Sequence, residues 1–555
     1  MMKVAWLKIR LGRSETLVLI ILVLGIGLRL WGSWLPFMED GTDIIPIARD
    51  VSLLPSKFNL PPHGSDHGPF LTYQTRLSSL VFGQSPLGWR LGGIILAVLS
   101  FVILYFLVRD GLGKVEAVIA MALVAFNGVH IFYSRYNVEE APIFFTTALI
   151  LFCFWMAFKK ESGLWMLLAG VSLGLGMLSK LVTLFPVPGL FLFLLFSSRG
   201  RRWFKKPELY LAGAVALAIF SPYLYWNWQH NWFDYGNAAK YIEPFGFYGI
   251  TLDLFLGGFF PMGDISFESD FGYEYMGRLA GLVLVIGIFY SLRRVRRSRS
   301  SLTGPTVGLG DECDYVDFVR MMHFAFWSVV AVSLFVVVGQ GRHFVLLVLP
   351  AAALASTALA DLWRWEREKG ARFVAVGVIV ALFGSSAWAT HKFGEYWVTT
   401  AEVPLAISEE GHPIDMTSLA KGLIEVARKY EPTLVVLPGK PRALRATGSF
   451  MEAYSGWKVV SSKKQHRWRK VYAEDLKKVV VILVAGVKER RYKEWAGRHN
   501  LKRLRREEEE VWASRRFRGH EEKFSLPVRI LVFEARDRAG RKAGEDLMNL
   551  LVPLE

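Results

Sequence analysis

Runs of about 18 or more apolar residues with few charges recur through the first 390 residues of this chain, and they constrain its fold more than any other feature. A helix of about 20 such residues crosses the roughly 30 Å of hydrocarbon in a bilayer, because each residue rises about 1.5 Å. The chain is 52% hydrophobic with mean hydropathy +0.30, which is high for a soluble protein of 555 residues. Buried core helices are the alternative, but so many runs in succession favour membrane spans.

The runs predict an all-α polytopic membrane domain with about eleven transmembrane helices. Basic residues precede the first run and no small-residue cleavage site follows it, so we interpret it as a retained span and not as a removed signal peptide. The predicted spans are residues 15–35, 89–108, 116–134, 141–158, 163–180, 182–198, 208–228, 274–292, 320–339, 343–362 and 371–390. Pro186 and Pro188 interrupt the pair 163–198, so a different division of these residues stays open.

The distribution of basic residues predicts the orientation of these spans. Part of the excess behind the net charge of +17 lies in short loops between runs, and no interleaving of basic and aromatic residues indicates a nucleic-acid partner. Alternate loops hold the clusters, which the positive-inside rule places in the cytoplasm. The N-terminus is then cytoplasmic and residues 392–555 lie outside the plasma (inner) membrane. The clusters lie at residues 3–13, 109–114, 159–160, 199–206, 293–299 and 364–372.

The predicted domains are a transmembrane domain, residues 1–391, with long outer loops at 36–88 and 229–273, and an extracytoplasmic α/β domain, residues 392–555. In the tail, apolar periodicity alternates between helical and extended patterns. Its basic surface fits either anionic lipid head groups or simple solvation. The two cysteines, Cys153 in an apolar run and Cys313 in a polar loop, exclude a disulfide framework. The tail's predicted elements are helices 416–430 and 488–499 and strands 433–437, 479–487 and 528–533.

Ionisable residues gather at the predicted outer ends of several spans. Carboxylates and cations on one outer face could supply a general base and a clamp for a phosphate. Each has a plainer alternative, because an acid near a span end is often a solvated loop residue and a lysine there can reach the interface with its long stem. The residues are Glu39, Asp40 and Asp43 after the first span, Arg135, Glu139 and Glu140 after the third, Lys180 at the end of the fifth, and Arg342 and His343 between the ninth and tenth.

Five stretches, in order over about residues 25–360, resemble the GT-C membrane glycosyltransferases, which include the protein O-mannosyltransferases and the aminoarabinose transferase that modifies lipid A. Each motif is short, but their order and topological places match the family. The stretches are Leu28-Arg29-Leu30-Trp31 through Pro36 to Asp40 with Ala48-Arg49-Asp50, His67-Gly68-Pro69 to Phe82-Gly83, Ser134-Arg135-Tyr136 to Glu140-Ala141, Gly174 to Ser179-Lys180, and Gly341-Arg342-His343 to Leu349-Pro350.

The resemblance implies a GT-C fold and transfer of a sugar from a polyprenyl-phosphate donor to an acceptor hydroxyl on a protein, lipid or glycan. It makes Asp40 the expected catalytic base, with Glu39 as the competitor and Glu140 as the next candidate. The family usually has Asp-Glu where this chain has Asp40-Gly41, so its second acid is absent or replaced by Glu39. The remaining expected substrate-binding residues, with Lys180 and Arg342 on the donor phosphate, are Arg135, Glu139, Lys180, Arg342, His343 and His67.

Two further patterns carry less weight. His63, Asp66 and His67 could hold a divalent metal, but Pro61, Pro62 and Gly64 argue against the helix that would align two histidines four residues apart. No cofactor is therefore assigned from the sequence, and a divalent metal stays open as an alternative. The run Trp232-Phe233-Asp234-Tyr235-Gly236 is similar to an oligosaccharyltransferase signature, but it lies in a mid-chain loop and is interpreted as coincidence.

Two other classes of function compete with a transferase. A lipid or sugar transporter would show internal repeats and broken mid-membrane helices around polar sites, and the sequence has no clear repeat. A structural membrane protein whose tail binds a partner has no reason to collect acids and cations on one face. The sequence therefore favours an inverting membrane glycosyltransferase.

Overall fold

The computed structural model describes most of the helical region and part of the C-terminal region. The described residues are 13–31, 68–135, 138–229, 283–294, 309–338, 345–364, 373–384, 416–437, 457–460, 477–483, 489–498, 501–517 and 520–535, with short pieces at 33, 44–45, 48, 51, 232, 242–244, 387, 451 and 455. The chain divides into two compact units. The first comprises residues 1–31, 64–71 and 91–391, and the second residues 32–63, 72–90 and 392–555. The predicted boundary at residue 391 stays a prediction.

Apolar helices dominate the described chain. They are α1 (Arg13–Leu30), α2 (Phe70–Phe82), α3 (Pro86–Gly111), α4 (Lys114–Ala125), α5 (Gly128–Arg135), α6 (Glu140–Lys160), α7 (Gly163–Ser179), α8 (Val187–Phe196), α9 (Pro207–Gln229), α10 (residues 283–294), α11 (Leu309–Phe335), α12 (Val348–Arg364) and α13 (Phe373–Gly384).

The described helices show a multi-pass membrane protein. Five segments are long and apolar enough to cross a bilayer, and α4 with α5 forms one further bent pair. Shorter apolar helices cover Gly163–Ser179, Leu181–Phe196 and Phe373–Gly384. A count of eleven spans is not confirmed for the described residues. The five long segments are Pro86–Gly111, Glu140–Lys160, Pro207–Gln229, Asp314–Ser333 and Val345–Arg364.

The third predicted span, residues 116–134, corresponds to α4 and α5, which together are long and apolar enough for one span but are interrupted between the two helices. The chain bends by 55° between α4 and α5. Asn127 is responsible, because its side-chain oxygen accepts a hydrogen bond from the backbone N–H of His130 at 3.0 Å and so starts a new helix. The sixth predicted span also differs, since a short 3-10 turn, Leu181–Leu184, precedes α8, whose first turn contains Pro188.

Glycines bring α7 and α9 into close contact. A Cβ at Gly170 would lie 2.3 Å from the carbonyl oxygen of Ala212, and one at Gly174 would lie 2.8 Å from Ile219 Cβ. Small residues let helix backbones approach closely in this way within a membrane. Residue numbers increase in the same direction along the two helices, from Gly170 beside Ala212 to Gly174 beside Ile219, so α7 and α9 are parallel neighbours.

Ion pairs gather at the end of the helical unit where the basic clusters lie. Arg364 donates two hydrogen bonds to the buried Glu116 carboxylate, at 2.6 and 2.8 Å. Arg199 contacts Asp314 at 2.7 Å, and Lys159 contacts Asp110 at 3.0 Å. The described ion pairs thus share one end of the bundle, and the described site residues Arg135, Glu139, Glu140 and Lys180 lie at the other.

The described C-terminal residues form a mixed sheet with helices, as the α/β pattern predicted. The elements are β3 (Leu434–Val436), β4 (Lys458–Val460), β5 (Lys478–Leu483), β6 (Leu501–Phe517), β7 (His520–Ala535), α14 (Met416–Arg428) and α15 (Glu489–Arg498); a separate short pair joins β1 (Ile242–Pro244) to β2 (Val336–Val338). The strand order of the sheet is β4-β3-β5-β7-β6, with β3, β4 and β5 parallel and β7 antiparallel to both β5 and β6.

Tyr430, just beyond α14, contacts the sheet through Glu507 of β6. Burial raises the pKa of the Tyr430 phenol, and its hydrogen bond to Glu507 raises that pKa further.

Candidate functional site

Chain topology brings several predicted site residues to one end of the helical unit. Helices α6 and α7 are joined by only Glu161 and Ser162, with Glu161 in the left-handed region at φ 48°, so they run antiparallel. The start of α6 and the end of α7 therefore lie at the same end. The helix α5 ends at Arg135, four residues before Glu139, which places its last turn there too.

Arg135 connects the third motif to the first. The side chain is 4% exposed, and its guanidinium donates a hydrogen bond of 2.5 Å to the carbonyl oxygen of Trp31, just beyond α1. Because helix-terminal carbonyls lack an intrahelical donor, a guanidinium is a suitable partner there. Two motifs separated by about a hundred residues thus meet at this end.

Glu139 and Glu140 are buried at the start of α6, with exposed fractions of 2% and 1%. The interpretation of these two residues as solvated loop acids is therefore wrong. Glu140 lies in the first turn of α6, where the partial positive charge of the helix N-terminus stabilises a carboxylate. Burial of two acids is costly unless cations or hydrogen bonds accompany them, so this end of the molecule is electrostatically specialised.

Lys180 ends α7 and is also buried, with 2% of its surface exposed. The alternative in which it extends along the surface to reach the interface is therefore wrong. Its backbone is held on both sides: its N–H donates to Gly176 O at 2.9 Å, and its carbonyl accepts from the Thr183 hydroxyl at 2.9 Å. A buried ammonium group on a residue whose backbone is held in place is a good electrostatic partner for a phosphate.

Gly68 brings the loop-one motif against the end of α7. Its N–H donates to Ser179 O at 3.1 Å, and a Cβ at this position would lie 1.8 Å from Leu178 O. Only glycine permits this approach. The second and fourth motifs therefore meet beside Lys180.

The other predicted site residues lie outside the described residues. No group of three His, Cys, Asp or Glu side chains able to hold a metal ion occurs in the part of the chain that the structure describes. Residues outside that part are Glu39, Asp40, Asp43, His63, Asp66, His67, Arg342 and His343.

Sequence reasoning did not assign a role to Arg29, His130 or Asn227, all of which are 0% exposed. Arg29 and His130 contact each other at the α4–α5 bend, with 2.7 Å between Nη2 and Nδ1. Asn227 lies in the last turn of α9 and donates from Nδ2 to Tyr223 O at 3.1 Å. A charged or amide side chain inside an apolar run is the signal that could have found them.

The described site residues supply two buried cations, Arg135 and Lys180, and two buried carboxylates, Glu139 and Glu140, at one end of the bundle. In a region of low dielectric, such charges act on a bound anion or a developing charge more strongly than they would in water. The arrangement can therefore orient an anionic substrate and accept a proton.

Comparison with known proteins agrees with the motifs. The model of the dolichyl-phosphate-mannose–protein mannosyltransferase family matches residues 66–226, which include Arg135, Glu139, Glu140 and Lys180. A putative mannosyltransferase of Bacillus subtilis (strain 168), YkcB, is 28% identical over 153 residues. That alignment spans 27% of this chain and only 21% of the relative.

Similarity to solved structures covers nearly the whole chain. The apo crystal structure of ArnT from Cupriavidus metallidurans superposes with a TM-score of 0.52 at 14% identity, covering 95% of this chain and 100% of that one. The apo Archaeoglobus fulgidus oligosaccharyltransferase gives a TM-score of 0.48 at 13% identity, covering 86% and 70%. The sequence-based recognition is thereby confirmed: the chain has the fold of the GT-C membrane glycosyltransferases, and its residues 66–226 are similar to the protein mannosyltransferase family.

Proposed function

We propose that this chain is an inverting glycosyltransferase that moves a sugar from a polyprenyl-phosphate donor to an acceptor hydroxyl at the outer face of the membrane. The observation that carries the proposal is the burial of Arg135, Glu139, Glu140 and Lys180 at one end of the bundle, within the residues that match the mannosyltransferase family. That family's description specifies a sugar on a lipid phosphate. The acceptor class here is a protein, a lipid or a glycan.

The chemistry needs a base and a clamp for the leaving group. An acceptor hydroxyl attacks the anomeric carbon as the bond from that carbon to the phosphate oxygen breaks, and a carboxylate takes the hydroxyl proton. The departing lipid phosphate carries the negative charge, which cations stabilise. Lys180 and Arg342 are the proposed clamp, and Arg135, Glu139, His343 and His67 contact the substrates.

Asp40 is the proposed base, because it follows the first span and matches the acid in the family's opening motif. Glu39 is the competitor. Glu140 is the third candidate, because it is a buried carboxyl group in the first turn of α6.

A transporter of lipid or sugar is the second candidate function, because the bend between α4 and α5 is an interruption of the kind that transporter helices contain. Transporters use broken helices to offer freed backbone groups to a substrate. Here Arg29 already donates to the carbonyls of Ala125 and Val124, at 2.9 and 3.4 Å, and the Val124 carbonyl also accepts from the Asn127 N–H at 3.2 Å. The bend therefore presents occupied carbonyls, which supports the transferase over the transporter.

Purified protein in lipid nanodiscs, given radiolabelled polyprenyl-phosphate mannose and candidate acceptors, tests the proposal. We expect label to move from the lipid to an acceptor. Glu161→Gln is the matched control, because Glu161 is an exposed acid at the opposite end of α6, 3.6 Å from Arg202, and its variant should keep full activity. In vesicles that contain the same protein, movement of the intact sugar lipid from one leaflet to the other without transfer would instead establish the transporter.

A further inference from the structure

A buried polar junction joins α1 to the bend between α4 and α5. Arg29 Nη1 donates to Gly25 O at 2.7 Å and to Ala125 O at 2.9 Å, while Nη2 contacts Nδ1 of His130 at 2.7 Å. Arg29 Cζ also lies 4.9 Å from the centre of the Phe101 ring. One side chain thus satisfies carbonyls at the end of α4 and holds the first turn of α5.

The hydrogen bonds define the tautomer of His130. A guanidinium only donates, so Nδ1 must accept and the ring proton lies on Nε2. Nε2 then donates to Ser100 Oγ at 2.9 Å, and that hydroxyl donates onward to Ala97 O at 2.7 Å. The imidazole is therefore oriented at both nitrogens, from α1 and from α3.

The same imidazole reaches the helix that carries the buried acids. The Phe144 ring stacks on His130 with 4.0 Å between ring centres and 25° between planes. Phe144 lies one helical turn after Glu140. The short helix α5 is also held at its far end, where Arg135 donates to Trp31 O at 2.5 Å.

We propose that Arg29 and His130 are positioning residues that hold α5 and the first turn of α6 in register with the end of α1, and so place Arg135 and Glu140. Neither residue contacts substrate in this role. The proposal rests on the proposed transferase function for its kinetic consequence, but the register itself does not.

Two substitutions of His130 separate positioning from packing. His130→Asn keeps an acceptor close to the place of Nδ1, whereas His130→Gln places its polar atoms near Nε2 and leaves Arg29 without that acceptor. Both lose the imidazole stack on Phe144, so they are matched controls for each other. Arg29→Lys keeps the charge but offers no planar fork to serve two carbonyls and a ring nitrogen together. Ser100→Ala removes only the partner of Nε2.

For the full-length protein in nanodiscs, we expect His130→Asn to keep most of kcat. His130→Gln and Arg29→Lys should lose on the order of 10²-fold in kcat, with a smaller change in KM, because a misplacement of about 1 Å has effects of this size. Ser100→Ala should lose less kcat than His130→Gln, because it removes one of the two contacts that orient the imidazole but keeps the contact with Arg29. Equal losses in His130→Asn and His130→Gln would assign the effect to stacking on Phe144 and overturn the proposal.

Hydrogen exchange provides a readout that needs no transferase activity. The backbone amides of residues 128–135 should exchange faster in His130→Gln and Arg29→Lys than in His130→Asn. If the protection of these amides is unchanged in both His130→Gln and Arg29→Lys, the positioning role is overturned, even if the enzyme is active. If protection changes as expected but the wild-type protein transfers no sugar, the register stands and the proposed function fails.

Discussion

At the scale of single residues, burial changed the interpretation of the candidate site. Glu139, Glu140 and Lys180 occur near predicted span ends, where a charged residue is commonly solvated, yet each is at most 2% exposed. Burial makes each charge more consequential, because the protein interior screens it less than water does. Substitutions at these positions should therefore have large and specific effects.

Lys180→Ala should weaken binding of the polyprenyl-phosphate donor by about 10- to 100-fold. A hydrogen bond to a charged group contributes about 1.5–3 kcal/mol, which corresponds to that range in affinity. Lys180→Arg should retain part of the charge effect. The control is Lys206→Ala, which removes an ammonium 3.8 Å from Glu161 at the opposite end of the bundle. Unchanged donor affinity in Lys180→Ala, measured by direct titration, would remove this residue from the phosphate clamp.

Asp40→Asn should slow sugar transfer by about 10²- to 10⁴-fold while donor binding persists, because the amide cannot accept the proton. Glu39→Gln should have a smaller effect. The rate of label transfer at saturating donor is the measurement. An inactive Glu39→Gln beside an active Asp40→Asn would move the base to Glu39, and activity in both would make Glu140 the next candidate.

At the scale of elements, helices were easier to predict than their interruptions. Apolar runs identified the regions of α3, α6, α9 and α12, because burial in lipid needs only local composition. The Asn127–Gly128 pair within the third run is a turn signal that apolar periodicity concealed. In the tail, β3, β5 and β7 overlap the predicted strands, whereas β4 and β6 were not predicted. The many charged residues of β6 break the alternation of apolar and polar residues that identifies a strand. This segment is a strand because it pairs with β7 in the folded sheet.

Gly170→Ala should destabilise the contact between α7 and α9 by about 1–3 kcal/mol, because the new methyl group meets a backbone carbonyl that cannot rotate away. Gly213→Ala, on the same α9, is the control. A Cβ there meets nothing within 4 Å, and alanine is the better helix former. Thermal unfolding in detergent should therefore separate the two variants. Equal melting temperatures would contradict the close approach of these helices.

At the scale of the whole molecule, the two ends of the helical unit carry different charge arrangements. One end has ion pairs such as Arg199–Asp314 and Arg364–Glu116, and the other has the buried group of Arg135, Glu139, Glu140 and Lys180. The alternation of basic loops predicts which end faces the cytoplasm. Orientation follows from the insertion of the chain in the membrane, so labelling in intact cells can test it.

In a variant whose Cys153 and Cys313 are replaced by alanine and serine, a membrane-impermeant thiol reagent should label Lys440→Cys in intact cells. Arg296→Cys should be labelled only after the membrane is opened. Labelling of Arg296→Cys with protection of Lys440→Cys would invert the predicted topology and, with it, the outward face of the candidate site.

The amino-acid sequence was sufficient to predict a polytopic membrane protein with a GT-C fold, a terminal α/β region and five ordered motifs. Apolar length, basic-loop alternation and short motifs are local properties, which are visible without knowledge of long-range contacts. The meeting of Arg135 with Trp31 and of Gly68 with Ser179 depended on the packing of segments more than a hundred residues apart. The same holds for the burial of Glu139 and Glu140 and for the junction of Arg29 with His130. A side chain's exposure and partners depend on every element that surrounds it, so only the folded bundle could decide them.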